Sequence, residues 1–309
     1  MNKNKYYAVF SLLIIVAFMA YIIYDSINPG KENAASMTKN EAADQPPDRW
    51  KIQNDIFIRT GLKAVAVSKA GDVILGGESF VSCYNKELKE KWTLEIPEKI
   101  TAVSVYDDTI YATSVESVFL LDKNGKIIGD WGPYEADCLI TSVSSNKHYV
   151  AIADAANKIV FIIRKDGEVA SMIGHFGEKL HIPSPYFDVS LTDDDRLMMA
   201  NTGMFRIETR SLNGNILSTF GVSGIGHESF CGCCNPAHFA IIPQGFVTAE
   251  KGLNRIKILD SEGYFVEFVT SVNNFTASVP LDIASEDGKT IYGANPADSK
   301  LYVFTRTGQ

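Results

Sequence analysis

The chain is poor in the side chains that carry most enzyme chemistry. Its 309 residues include only five cysteines, five histidines and three tryptophans. It has no glycine-rich phosphate loop and no Ser-His-Asp context specific enough to name, so the common nucleotide and acyl-transfer motifs are absent. It also lacks long amphipathic helices, which argues against helical bundles and against strand–helix alternation. It carries no basic excess. Beyond residue 24 it has 27 basic against 37 acidic residues, a balance of −10. A surface of that sign argues against nucleic acid or anionic lipid as the main partner.

Charge is also missing from one stretch near the start. Tyr6 to Tyr24 is a run of 19 residues without a charge. A helix rises about 1.5 Å per residue, so this length matches a bilayer's hydrocarbon core. Lys3 and Lys5 precede the run and Asp25 follows it, which holds residues 1–5 in the cytoplasm and exports the rest. Tyr6, Tyr7, Tyr21 and Tyr24 bracket it at the two interfaces. No clean small-x-small cleavage site follows, and the run is long for a signal peptide. The expectation is an uncleaved, single-pass signal anchor over residues 6–24 in a cell membrane. Residues 25–48 are small, polar and proline-bearing, which reads as a flexible tether. Residues 49–309 would then be a domain on the periplasmic or extracellular side.

That domain reads as short strands separated by turn signals, in sets of about 35–45 residues. Two sets are clearest. One holds Phe187–Leu191, Arg196–Gly203, Phe205–Gly214 and Asn215–Gly221; the next holds His238–Ile242, Gly245–Gly252, Asn254–Gly263 and Tyr264–Val269. Earlier sets run over Val65–Glu95, Ile100–Trp131 and Ile140–Gly174, and a last set starts at Leu281. Asn124-Gly125, Asp166-Gly167 and Asn213-Gly214 read as hairpin turns, where φ > 0 is needed. The sixth set lacks its outer strand, while Trp50–Arg59 is a strand without a set. A closed ring explains both: an all-β, six-bladed propeller of four-stranded antiparallel blades, in which the N-terminal strand completes the last blade.

Ala200-Asn-Thr-Gly-Met-Phe-Arg206 with Phe220-Gly221, and Ala249-Glu-Lys-Gly-Leu-Asn-Arg255 with Asp260-Ser-Glu-Gly263, follow one grammar. It resembles the NHL-repeat β-propellers. The match covers about residues 180–270 and is looser elsewhere. Asn201 and Glu250 stand where that family has Asp. The resemblance implies the fold; the family hosts binding modules and lyases alike.

The remaining unusual feature is Phe230-Cys231-Gly232-Cys233-Cys234-Asn235-Pro236-Ala237-His238, with three of the five cysteines within four residues. In a propeller this is a blade-to-blade connection, and such connections share a face with the turns between second and third strands. His175 and His181 lie on the preceding connection and His227 on this one; His148 is placed elsewhere, in a strand. Together with Arg206 and Arg255, these histidines are candidates for a ligand-binding face.

Three readings of the cysteines stay open. They can form a disulfide that pins the loop, among themselves or with Cys138. Cys231, Cys233, Cys234 and His238 can hold a soft metal, Zn or Cu, or an iron–sulfur centre. Cys231 or Cys234 can serve as a redox thiol. Cys83 and Cys138 read as small buried hydrophobes, and Asp193-Asp194-Asp195 as a solvated turn. The leading expectation is a non-enzymatic binding module for a protein or small-molecule ligand. The rival is a metal-dependent enzyme, as the resemblance to propeller-type peptidyl-hydroxyglycine amidating lyases implies, or a thiol redox protein.

Overall fold

The computed structural model describes residues 13–20, 49–175, 179–232, 234–271, 275–276 and 278–307. Two units separate at residues 47 and 48. In the first, residues 13–20 are helical; the rest of the expected anchor and the whole tether lie outside the described residues. No helix among the described residues is long and apolar enough to cross a membrane.

The second unit is a ring of six antiparallel blades. Strand β1 (Trp50–Phe57) comes first and stands outside the sequential order. Blade 1 follows with β2 (Leu62–Val67), β3 (Val73–Tyr84) and β4 (Glu90–Lys99). Blade 2 holds β5 (Ala102–Tyr106), β6 (Thr109–Thr113), β7 (Val118–Asp122) and β8 (Ile127–Trp131). Blade 3 holds β9 (Ile140–Ser145), β10 (Tyr149–Asp154), β11 (Ile159–Arg164) and β12 (Val169–Ile173). Blade 4 holds β13 (Val189–Leu191), β14 (Arg196–Asn201), β15 (Arg206–Ser211) and β16 (Ile216–Phe220). Blade 5 holds β17 (His238–Ile242), β18 (Gly245–Ala249), β19 (Ile256–Leu259) and β20 (Phe265–Thr270). Blade 6 holds β21 (Asp282–Ala284), β22 (Thr290–Asn295) and β23 (Lys300–Arg306), and β1 pairs antiparallel with β23 as its outer strand. The closure expected from the orphan strand is therefore present. Blade 1 departs from the four-strand pattern in one respect. Its second and third strands run together in β3, which pairs with β2 up to Gly77 and with β4 from Glu78, beside Ser79 at φ 66.

The sequence produces this ring by burying both faces of each blade. Along β10, Val150 and Ile152 pack toward blade 2, while Ala151 and Ala153 pack toward blade 4. Such strands read as near-continuous apolar runs because period-2 alternation has no solvent face to mark. The apolar core is accordingly divided into six clusters, one between each pair of adjacent blades, including the pair that closes the ring. Of the outer strands, β16 is almost wholly exposed.

In blades 2 and 5 the turn from third to fourth strand follows one local rule. Asp122 Oδ1 accepts the Asn124 and Lys126 N–H groups, and Asp260 Oδ1 accepts those of Glu262 and Tyr264. Gly125 and Gly263 then take φ near 80° and 91°. The Asp-x-x-Gly spacing is an Asx turn closed by a left-handed glycine. A Cβ on Gly263 would stand 2.5 Å from the Phe220 ring of the neighbouring blade.

Candidate functional site: the channel mouth

The six inner strands contact their neighbours around the ring and enclose a channel of about 190 Å³. Strand registers fix which inner residues are equivalent. Ala64 lies opposite Gly76, Val103 opposite Ala112, Ser142 opposite Ala153, His238 opposite Ala249 and Asp282 opposite Ala294. The Asp188 carbonyl takes the Ala200 N–H, completing the level. Two positions of this level are apolar (Ala64, Val103); the other four are Ser142, Asp188, His238 and Asp282, from blades 3 to 6.

Three of the four polar residues do the same job. Each accepts a backbone N–H from the next blade's inner strand. Ser142 Oγ takes Val189 N at 3.1 Å, Asp188 Oδ2 takes Phe239 N at 2.8 Å and Asp282 Oδ2 takes Val65 N at 2.8 Å. The last of these bonds the final blade to the first. Ser142 Oγ also donates to Asp188 Oδ1 at 2.5 Å. His238 departs from the pattern. Its Nδ1 stands 3.4 Å from Asp282 Oδ1 and 3.9 Å from Asp188 Oδ2, so one imidazole lies between two carboxylates. No described residue bonds to its Nε2. Its ring lies perpendicular to the Tyr186 ring with centroids 6.1 Å apart, and Lys251 Nζ lies 4.8 Å over the Tyr186 face.

Burial dominates the electrostatics. It pushes the Asp188 carboxyl above the usual range and Asp282 up to about 6, with the charge of His238 working in the opposite direction on each. Lys63 also lines the channel; burial and the nearby Lys99 ammonium lower it to about 8.

The residues singled out from the sequence are spread more widely. The connection to blade 5 does lie against that blade's turn between second and third strands. Asn235 is fully buried there: its Nδ2 donates to the Lys251 and Cys231 carbonyls and its Oδ1 accepts Lys251 N–H. Cys231 is half-buried beside the Lys251 carbonyl and Cys234 is buried; Cys233 lies outside the described residues. No disulfide joins the described cysteines to one another, and no group of three described His, Cys, Asp or Glu side chains is placed to hold a metal ion. His238 stands with carboxylates from blades 4 and 6. His227 packs on the rings of Phe265 and Phe268, at 4.9 and 5.1 Å, against the outer strand of blade 5. The His175 and His181 side chains are exposed, with the His181 carbonyl accepting Gly203 N–H. His148 lies in the turn between β9 and β10, not within a strand, because Asn146 turns the chain there by accepting the His148 and Tyr149 N–H groups. Its Nδ1 meets Asp195 Oδ2 at 2.8 Å.

Arg206 bonds Glu208 within its own blade. Arg255 is buried; it pairs with Glu250 and donates to the carbonyls of Ile225, Gly226 and Ser229. Lys257 beside it is fully buried, donates to the His227 and Ser229 carbonyls and pairs with Glu250. Arg255 and Lys257 thus brace the connection before Cys231. Cys83 and Cys138 are buried, as expected, and Asp193–Asp195 form a turn.

Sequence reasoning missed Asp188 and Asp282. The available signal was the repeat itself: Asp188, His238 and Asp282 occupy the same position in three successive blades.

No family model matches the chain, and no curated protein matches it. Solved structures do resemble it. Virginiamycin B lyase from Staphylococcus aureus, determined with quinupristin, is 18% identical, with a TM-score of 0.60 over 83% of this chain and 99% of that one. A streptogramin B lyase is 11% identical, with a TM-score of 0.62 over 84% and 98%. The Pan2 WD40 domain of Neurospora crassa is 11% identical, with a TM-score of 0.57 over 86% and 98%. At these identities the likeness is one of fold: a β-propeller shared by enzymes and other proteins alike.

Proposed function

We propose that the protein is a membrane-anchored, exported β-propeller that binds a ligand at the channel mouth formed by Asp188, His238, Asp282 and Tyr186. The observation that carries this reading is the position of His238. Its equivalents in the neighbouring blades join one inner strand to the next; His238 instead stands between two carboxylates in the wall of the channel, with no described residue bonded to its Nε2. A polar side chain released from structural duty, in a concave site lined from every blade, is where a propeller of this kind would recognise a ligand. The uncharged run over residues 6–24 and the acidic balance beyond it support export with the N-terminus in the cytoplasm.

Two experiments test the two halves. A C-terminal fusion to a reporter active only outside the cytoplasm should be active and should fractionate with membranes; a silent fusion contradicts the orientation. Native mass spectrometry of the full chain, extracted in mild detergent, should show a small-molecule adduct that Asp282→Asn loses. No adduct on the wild type, or one that survives the substitution, contradicts the site.

Catalysis is a second reading, and one observation favours it. An imidazole whose Nδ1 faces a carboxylate at 3.4 Å, with no described partner at Nε2, is equipped to move a proton. Two of the structural neighbours are lyases by name. Turnover of an amide or ester panel that His238→Ala abolishes would establish it.

A further inference from the structure

The charges at the mouth do not balance. Asp188 is buried and Asp282 half-buried, and the only ion-pair partner either has among the described residues is the single imidazole of His238. Buried charges are ordinarily paired one to one. The nearest ammonium in the channel wall, Lys63, neighbours Glu78 and Lys99 and supplies neither carboxylate. The carboxylates differ in acceptor capacity: Asp188 already takes the Ser142 hydroxyl and the Val189 and Phe239 N–H groups. Asp282 takes one backbone N–H on each oxygen, from Val65 and Ile283, out of about four lone-pair sites on a carboxylate. Tyr186 stands beside them and already holds one ammonium, that of Lys251, over its face. The channel beyond is narrow and hydroxyl-bearing, with Thr101, Ser104, Thr141 and Ser144 in its wall.

From this deficit we infer that the mouth takes the ammonium end of a slender organic cation. This rests on the mouth being the ligand site. The ammonium would donate to Asp188 and Asp282, supply the missing positive charge, and point its alkyl chain past Tyr186 to the outside. A planar guanidinium suits the site less well, because the two carboxylates come from blades 4 and 6 with the imidazole between them and do not form one bidentate edge.

The test is thermal denaturation of the full chain in detergent with n-butylammonium chloride, n-butanol or sodium butyrate, each at ionic strength matched with NaCl. Butylammonium should raise the melting temperature saturably by about 3 °C or more, with no such rise from the other two probes. Asp282→Asn keeps an oxygen for the Val65 N–H and removes one charge; it should lose the response. Asp188→Asn, which keeps one of the two acceptor oxygens, should lose it as well, and provides the reading if the first variant does not fold. A saturable rise with n-butanol or butyrate alone overturns the ammonium class and leaves the mouth as a site. No rise with any probe, or a rise retained in both variants, overturns the inference; the mass-spectrometric adduct decides the site separately.

Discussion

Asp282 has two duties that pull against each other. Its oxygen closes the ring by accepting Val65 N–H, yet burial raises it from an ordinary 3.8 to about 6. The folded state therefore holds a proton that the unfolded chain releases between about pH 4 and 6. This group's contribution to stability falls as pH rises through that window and stays low above it. Urea unfolding at pH 5 and pH 7.5 should show Asp282→Asn losing less stability over this rise than the wild type does. Lys257 makes the opposite case. It is lowered to about 8 by burial but remains beside Glu250, with its other donors on the His227 and Ser229 carbonyls. Lys257→Met would take its donor from the His227 carbonyl and leave the Ser229 carbonyl and Glu250 with Arg255 alone. A loss of about 3 kcal/mol is expected from denaturant unfolding.

At the scale of the element, β1 carries the closure. Trp50 is buried against blades 5 and 6, and its Nε1 donates to Glu267 of blade 5 at 3.1 Å. Trp50→Ala should cost about 3–5 kcal/mol in chemical denaturation, and removal of residues 49–57 should abolish cooperative unfolding. Unchanged stability in either would contradict the topology. Turns are the other sensitive elements. Gly263→Ala must combine φ near 91° with a Cβ against Phe220, so it should destabilise by about 1–3 kcal/mol. Both features were legible in the sequence for physical reasons. A left-handed turn favours glycine whatever surrounds it, and a missing outer strand with a spare N-terminal strand is a matter of counting. Blade 1 was less legible, because nothing local shows that two strands will merge through Ser79.

At the scale of the whole molecule, what the sequence obscured was the site. The cysteine cluster draws attention because cysteine is scarce, but Asn235 and the Lys251 backbone fix its loop on the top of blade 5. Asp188 and Asp282, each read alone, are ordinary turn-adjacent acids. They become a pair only when the ring brings blades 4, 5 and 6 around one channel, with His238 between them. His227, close to His238 in sequence, is held instead against Phe265 and Phe268. The measurement that separates these two centres is native mass spectrometry of the full chain as wild type, as Asp282→Asn, and as the double substitution Cys231→Ser with Cys234→Ser. Function at the channel mouth predicts a small-molecule adduct retained by the cysteine variant and lost from Asp282→Asn. Retention by Asp282→Asn with loss from the cysteine variant would contradict it and return the function to the loop.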